Sequence, residues 1–207
     1  MLENKLGITN SVELSKEEEK ITKLKALKLF DSNKIEEYEI GTFKGLSDIH
    51  KFLFDDIYFF AGKIRKENIA KGNFRFASCM YLEDVLNKID KMPQHTFEEI
   101  VQKYIEMNIA HPFREWNGRS TRIWLDMILK KELNMVVDWS KIKKEDYLFA
   151  MERSPVKDTE IRILLFNLKG MYGYNQIVRT IAIVRTPDLE PDTTIAKTTA
   201  KSNKYKI

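Results

Sequence analysis

HPFREWNGRSTR, residues His111 to Arg122, puts an imidazole, a carboxylate, a Gly beside an Asn and two arginines into twelve consecutive positions. It follows one helical pattern, FEEIVQKYIEMNIA, and leads into another, so it reads as a loop that opens a helix. The first amides of a helix lack intrahelical partners and sit at the positive end of the macrodipole, so such a loop attracts anions. A glycine there, Gly118, lets the backbone approach a phosphate closely. Arg119 and Arg122 are three apart, hence neighbours on one face, and suit bidentate contacts to phosphate oxygens. Glu115 suits part of an octahedral Mg2+ shell otherwise filled by water and phosphate, and His111 suits a base that takes a proton from a hydroxyl. Together these residues point to a nucleotide-handling site.

The rest of the chain reads as a helical frame for that loop. Downstream, Ile123, Trp124, Met127, Ile128 and Leu133 mark a central buried helix capped by Asn117 or Ser120. Upstream, Thr96 with Glu99 forms a capping box, and Met80, Tyr81, Val85, Leu86 and Ile89 keep helical spacing until Pro93. KENIAKGNFRF reads as extended, with Gly72 and Asn73 as a hairpin turn. Leu46, Ile49, Leu53, Phe54, Ile57 and Phe60 predict an amphipathic helix with Gly62 at its C-cap. Ser15 with Glu18 reads as a capping box for an N-terminal helix whose apolar stripe is Ile21, Leu24, Leu27 and Leu29, closed by Asp31, Ser32 and Asn33. Two late helices are expected, from Lys144 to Met151 and from Pro155 to Leu168, with Pro155 in the first turn. Beyond Pro187 the polar tail offers little to bury and is expected to be weakly ordered.

Composition agrees with a globular domain: 43% hydrophobic and 32% charged residues, with no internal repeat. A net charge of +4 is too small to imply nucleic-acid binding. One cysteine, Cys79, excludes an internal disulfide and reads as inert packing in a reducing compartment. The charged N-terminus lacks the apolar core of a signal peptide, and no apolar run approaches the roughly 18 residues of a membrane span, so a cytoplasmic location is expected. His50, beside Ile49 and Leu53, reads as a structural histidine, and His95 as a solvent-facing one.

Residues 111–122 closely resemble the signature of the Fic family: His, Pro, Phe, any residue, Asp or Glu, Gly, Asn, Gly, Arg, two residues, Arg. Eleven of the twelve choices are compatible, Trp116 being the exception. Leu46, Ile49, His50, Leu53, Phe54 and Tyr58 followed by FAGKIR resemble the family's early helix, KGNFRF its flap, and AMERSPV a late helix boundary. The resemblance implies an all-α fold, a Fic-type helical bundle with a short β-hairpin flap. The domains would be residues 1–39 as lead-in, 40–170 as the core and 171–207 as a divergent C-terminal segment. It also implies an enzyme that transfers AMP from ATP to a hydroxyl of a protein substrate and releases pyrophosphate. His111 would be the base, Phe113 the anchor of the loop and Glu115 the Mg2+ ligand. Trp116, Asn117, Gly118, Arg119, Ser120, Thr121 and Arg122 would surround the nucleotide. Lys71, Gly72, Asn73, Phe74, Arg75 and Phe76 would form the flap that holds the target by main-chain pairing.

Two departures qualify the resemblance. Trp116 stands where the family has the first Gly of the anion hole. If the position needs φ > 0, a side chain there costs about 1 to 2 kcal/mol. The alternative to an active transferase is therefore a degenerate Fic fold that binds a nucleotide or partner without transferring anything. The second departure concerns restraint in cis, which in the family comes from a helix bearing Ser or Thr, three residues, Glu, then Gly or Asn. Thr186 to Glu190 and Ser15 to Glu19 have the spacing but are followed by Pro191 and Lys20. Restraint in cis is therefore expected to be weak, leaving room for an inhibitory protein in trans.

Overall fold

A computed structural model describes residues 2–72, 74–171 and 194–195. Seven α-helices are formed among these residues: α1 Ser11–Asp31, α2 Phe43–Phe54, α3 Leu82–Asp90, α4 Phe97–Ala110, α5 Asn117–Leu133, α6 Lys144–Arg153 and α7 Thr159–Leu168. The chain is thus a helical bundle, with α5 at its centre against α2 and α4. Ile123, Trp124, Leu125, Ile128 and Leu129 of α5 are fully buried, as are Leu46, Ile49 and Phe54 of α2 and Ile100, Val101 and Tyr104 of α4. Fully burying one such side chain stabilises by about 1.5 to 3 kcal/mol, so this three-helix contact fixes the fold.

Thr96 and Glu99 form the reciprocal capping box at the start of α4. Several boundaries and faces differ from the sequence reading. α1 is opened not by Ser15 but by Asn10, whose side chain accepts from the Val12 and Glu13 amides at 2.9 and 3.1 Å. The face it buries is Leu14, Glu18, Thr22, Ala26 and Leu29, spaced by fours and then a three, while Leu24 is 53% exposed. Counting only apolar residues selected the wrong stripe because two of the inward positions are polar. α2 stops at Phe54, and Ile57 and Tyr58 reach the core from turns. Met80 and Tyr81 precede α3 and are exposed. Pro155 falls in the turn between α6 and α7 rather than in a first helical turn.

The flap is a hairpin of β1 (Ile69–Lys71) and β2 (Phe74–Arg75), paired Ala70 to Arg75 and Lys71 to Phe74. Asn73, the expected second turn residue, lies outside the described residues. Two pairings were not legible in sequence. β3 (Met135–Val137) pairs antiparallel with β4 (Lys169–Met171). β5 (Thr194–Ile195) pairs antiparallel with β1, giving the order β2-β1-β5. The expectation of a weakly ordered tail otherwise concerns residues outside the described ones. No described helix is long and apolar enough to cross a membrane.

Candidate active site

The loop between α4 and α5 is shaped by its own side chains before any ligand is considered. α4 ends in His111, whose backbone takes the left-handed conformation (φ 48°, ψ 62°) and whose amide donates to the Met107 carbonyl at 3.0 Å. This is a usual helix stop, though generally made by Gly, and Pro112 prevents continuation. Phe113 is fully buried and lies against the His50 ring at 3.9 Å. Asn117 closes the loop from the other side: its Oδ1 accepts from the Phe113 amide and its Nδ2 donates to the Phe113 carbonyl, both at 2.8 Å.

His50 is the structural histidine expected, with a further task. The Gly62 amide donates to its Nδ1 at 2.9 Å, so Nε2 carries the proton and donates to the Glu115 carbonyl at 3.0 Å. Gly62 itself needs φ +74°, which a glycine supplies without strain. Burial pushes the His50 pKa down to about 3 and keeps the ring neutral, as both hydrogen bonds require. The backbone of Glu115 is thereby held from α2. Its half-buried side chain suits one position of a Mg2+ shell, and no cluster of three or more ligating side chains exists among the described residues. A lone carboxylate fits Mg2+, which keeps waters and phosphate oxygens for most of its shell.

Trp116 does take a positive φ, 62° with ψ 24°, the left-handed conformation that glycine adopts without strain. Its indole turns toward the body of the protein. It stacks on Phe54 with centroids 6.0 Å apart, lies 6.4 Å from Tyr58, and carries the Arg119 guanidinium 4.6 Å from its ring centre. Stacking and cation–π contact offset the strain of the left-handed conformation. The cap of α5 is thus Trp116, not Asn117 or Ser120. The Ser120 hydroxyl lies 3.4 Å from the Trp116 carbonyl and the Thr121 hydroxyl donates to the Asn117 carbonyl at 2.9 Å; both residues are buried. Their hydroxyls bond to the preceding helical turn.

Arg119 and Arg122 share the first turns of α5. Arg122 is fully buried with its guanidinium 5.7 Å from the centre of the Trp139 ring. Arg119 is met by a residue that sequence reading assigned to a capping box. Glu18, on the buried face of α1, takes a hydrogen bond from Arg119 Nη1 at 2.9 Å, and both side chains are only 3% exposed. Its other oxygen accepts from the Tyr58 hydroxyl at 2.7 Å. The restraint in cis weighed from the sequence concerned a glutamate on the second motif arginine, Arg122, whereas the buried carboxylate found here, Glu18, sits on the first, Arg119. The signal was present as a Glu at the fourth-residue spacing between Leu14 and Thr22, but a charged residue in that register reads as surface.

His111 is set under the flap. Phe76 stacks on the His111 ring at 3.8 Å, and Phe74 meets Phe76 edge to face at 5.1 Å. Burial, and then the Arg65 charge, push the His111 pKa down to about 3 against a smaller pull from the Asn108 carbonyl, so the imidazole is neutral at pH 7. Arg65 was not singled out from the sequence beyond its place in FAGKIR. It is buried, and its guanidinium donates to the carbonyls of His111 (2.8 Å), Glu67 (2.6 Å), Ala77 (2.5 Å) and Ala110 (3.1 Å). It therefore clamps both roots of the flap to the carbonyl end of α4, where a cation is favoured by the helix dipole.

A helical bundle that presents a His-Pro-Phe loop, a short flap above it and two arginines at a helix N-terminus is the Fic architecture. Residues 42–129 match the Fic/DOC family. The probable protein adenylyltransferase y4lH of Sinorhizobium fredii is 31% identical over 140 residues, covering 61% of this chain and 72% of that protein, and the chain belongs to the Fic/DOC family. The protein adenylyltransferase VbhT of Bartonella schoenbuchensis is 30% identical over 156 residues, 69% of this chain, while the chain spans only 31% of its length. Among solved structures, the N-terminal Fic domain of a putative cell filamentation protein of Bartonella quintana with bound ADP superposes with a TM-score of 0.69 at 20% identity. It covers 86% of this chain and 94% of that one. The BepC protein of Bartonella tribocorum with bound AMPPNP gives a TM-score of 0.67 at 20% identity, covering 83% and 93%.

Proposed function

We propose that this chain is a protein adenylyltransferase that moves AMP from ATP to a hydroxyl side chain of a protein substrate. The observation that carries the reading is the folded loop itself: a neutral imidazole at the end of α4, followed within one short loop by the amide-bearing start of α5 with Arg119 and Arg122. The adenylyltransferase names of the relatives and the ADP and AMPPNP bound to the structural neighbours support it. His111 takes the proton of the attacking hydroxyl, the hydroxyl oxygen bonds to the α-phosphorus, and the bond to the β-phosphate oxygen breaks to release pyrophosphate. The amides of Asn117 and Gly118 and the two guanidinium groups hold the phosphates, so catalysis is mostly positioning and charge stabilisation. Mg2+ on Glu115 would supply charge neutralisation of the phosphates when bound. Glu18 has to leave Arg119 before a phosphate takes its place.

The second reading, a degenerate Fic fold silenced by Trp116, is less favoured, because the indole lies on Phe54, Tyr58 and Arg119 while its backbone keeps the glycine conformation. The deciding experiment is transfer of label from α-labelled ATP with Mg2+ to proteins of a cell lysate by wild type, His111→Ala and Trp116→Gly. Label from wild type that vanishes in His111→Ala supports the transferase. Label that appears only with Trp116→Gly supports the degenerate fold.

A further inference from the structure

Where the chain runs from α2 toward the flap it forms a cleft of about 260 Å3 beside the loop that carries His111. Arg65 lines the cleft and fastens it to that loop: its amide donates to the Pro112 carbonyl at 2.9 Å and its Nε to the His111 carbonyl at 2.8 Å. Arg114, from the loop itself, lines the cleft with its guanidinium 6.0 Å from the centre of the Phe60 ring. Phe59 adds an apolar surface that is 56% exposed, and Lys63 and Lys66 add two exposed cations. Among the described residues no ion pair engages Lys63, Lys66 or Arg114, whereas Lys5, over the Phe59 ring, is held by Asp55 at 3.2 Å. Covering such cations without a counter-charge is unfavourable, while covering an exposed Phe is favourable, so the surface fits a segment that brings carboxylates and an apolar side chain together. Glu3 and Glu67 also line the cleft and interrupt its positive surface, which suits a short acidic stretch of polypeptide and opposes the unbroken charge of a nucleic acid.

We propose that this cleft is a docking site for an acidic segment of the protein substrate, close in its sequence to the residue whose hydroxyl is modified. The inference rests on the adenylyltransferase reading above and names the chemistry by which that enzyme chooses a substrate. Acidic side chains meet Lys63, Lys66 and Arg114, and an apolar side chain covers Phe59. The charges are exposed, so they govern encounter and selectivity more than the chemical step, and salt weakens them. None of these residues is assigned to the nucleotide, so docking and ATP affinity are separable.

The test is fluorescence anisotropy at low salt with the full chain and a fluorescein-labelled hexapeptide of five glutamates and one phenylalanine. Lys63→Glu with Lys66→Glu is expected to weaken peptide binding about tenfold or more, and Phe59→Ala by a smaller factor. Lys88→Glu with Lys91→Glu, exposed positions on and after α3, changes the net charge equally and should leave binding within about twofold of wild type. Label transfer from α-labelled ATP to lysate proteins is the second readout. The Lys63, Lys66 variant is expected to need more lysate for half-maximal rate while keeping its ATP affinity and its rate at saturation, and the peptide to slow labelling by wild type but not by the variant. No peptide binding by wild type, equal binding by the variant, or tighter binding of an oligothymidylate than of the peptide would overturn the proposal, and labelled lysate proteins would then still uphold the adenylyltransferase reading. Peptide binding that needs Lys63 and Lys66, with no label from wild type or Glu18→Ala, would overturn that reading and with it the role of the cleft in substrate choice.

Discussion

Replacing Glu18 with Ala should make the free protein weaker and its grip on ATP stronger, by related amounts. In the free state Glu18 and Arg119 form a buried pair, 2.9 Å apart and 3% exposed on each side, with Tyr58 on the second carboxylate oxygen. Breaking a buried pair by removing one partner costs about 3 to 5 kcal/mol, because the other charge is left uncompensated. Arg119 keeps its contact with the Trp116 ring, so the lower end of that range applies, about 3 kcal/mol. In the proposed ATP complex Arg119 would face phosphate instead, and the deletion would no longer strand it. Around the thermodynamic cycle, most of what the free protein loses reappears as affinity: about 2 to 3 kcal/mol, or roughly 30- to 150-fold in Kd.

The assay is a pair of thermal melts with and without ATP and Mg2+, plus calorimetric titration of ATP. For a domain of this size, 3 kcal/mol lowers the free-state Tm by about 6 to 12 °C, and saturating ATP should recover much of the loss in the variant. Glu18→Gln, which keeps an acceptor for Tyr58 but not the charge, should fall between the two. An unchanged free-state Tm together with an ATP affinity within about twofold of wild type would refute the reasoning, because the pair would then be neither stabilising nor in the way of phosphate.

Trp116→Gly should relieve about 1 kcal/mol of backbone strain yet lose more in stacking and burial, a net loss of about 2 kcal/mol by urea denaturation, with label transfer retained. A more stable variant would mean that the indole contributes nothing on Phe54 and Arg119. Stability should also fall in acid below pH 6.5. His50 and His111 are both pushed to about 3 in the fold, so between pH 6.5 and 3 the unfolded chain binds protons that the folded one refuses. By pH 5 each contributes a loss of about 2 kcal/mol, and the urea midpoint of His111→Ala should show about half the wild-type slope. A flat profile between pH 6.5 and 5 would contradict both assignments. Arg65→Met should cost about 3 kcal/mol and speed hydrogen exchange at the Phe76 and Ala77 amides while leaving ATP affinity unaltered, since the clamp touches the flap and not the phosphates.

What the sequence made legible follows from which interactions are periodic. α4 could be read to its first residue because Thr96 and Glu99 are three residues apart and complete a cap by themselves, and the later turns of α5 could be read from their apolar residues Ile123, Trp124, Met127 and Ile128, though its cap could not. The hairpin was readable from Gly72 between extended flanks for the same reason. The errors fall where distant parts of the chain meet. α1 buries Glu18 because Arg119 and Tyr58 meet its carboxylate, while the Thr22 hydroxyl donates to the Glu18 carbonyl, and no count of apolar residues in a window finds a partner 101 residues away. β3 with β4 and β1 with β5 are two- or three-residue pairings whose partners are far along the chain, too short to carry a period of two.

The motif shows the same division. Within its twelve residues Asn117 braces Phe113 and the Trp116 ring carries the Arg119 guanidinium. The remaining geometry comes from outside: His50 fixes the Glu115 carbonyl, Arg65 fixes the carbonyls of Ala110 and His111, and Phe54 and Tyr58 make room for the indole. Each of these grips the loop by its backbone or by an aromatic face rather than by a reacting group. A site built that way tolerates a change of side chain wherever the backbone conformation survives. Trp116 takes a left-handed backbone there, and its indole lies on Phe54 with the Arg119 guanidinium over its ring. The same indole supports Arg119 in the orientation that Glu18 engages. The substitution that departs most from the family pattern is therefore tied physically to the Glu18–Arg119 pair, and a Trp116→Gly, Glu18→Ala double variant should show the coupling as a non-additive gain in ATP affinity.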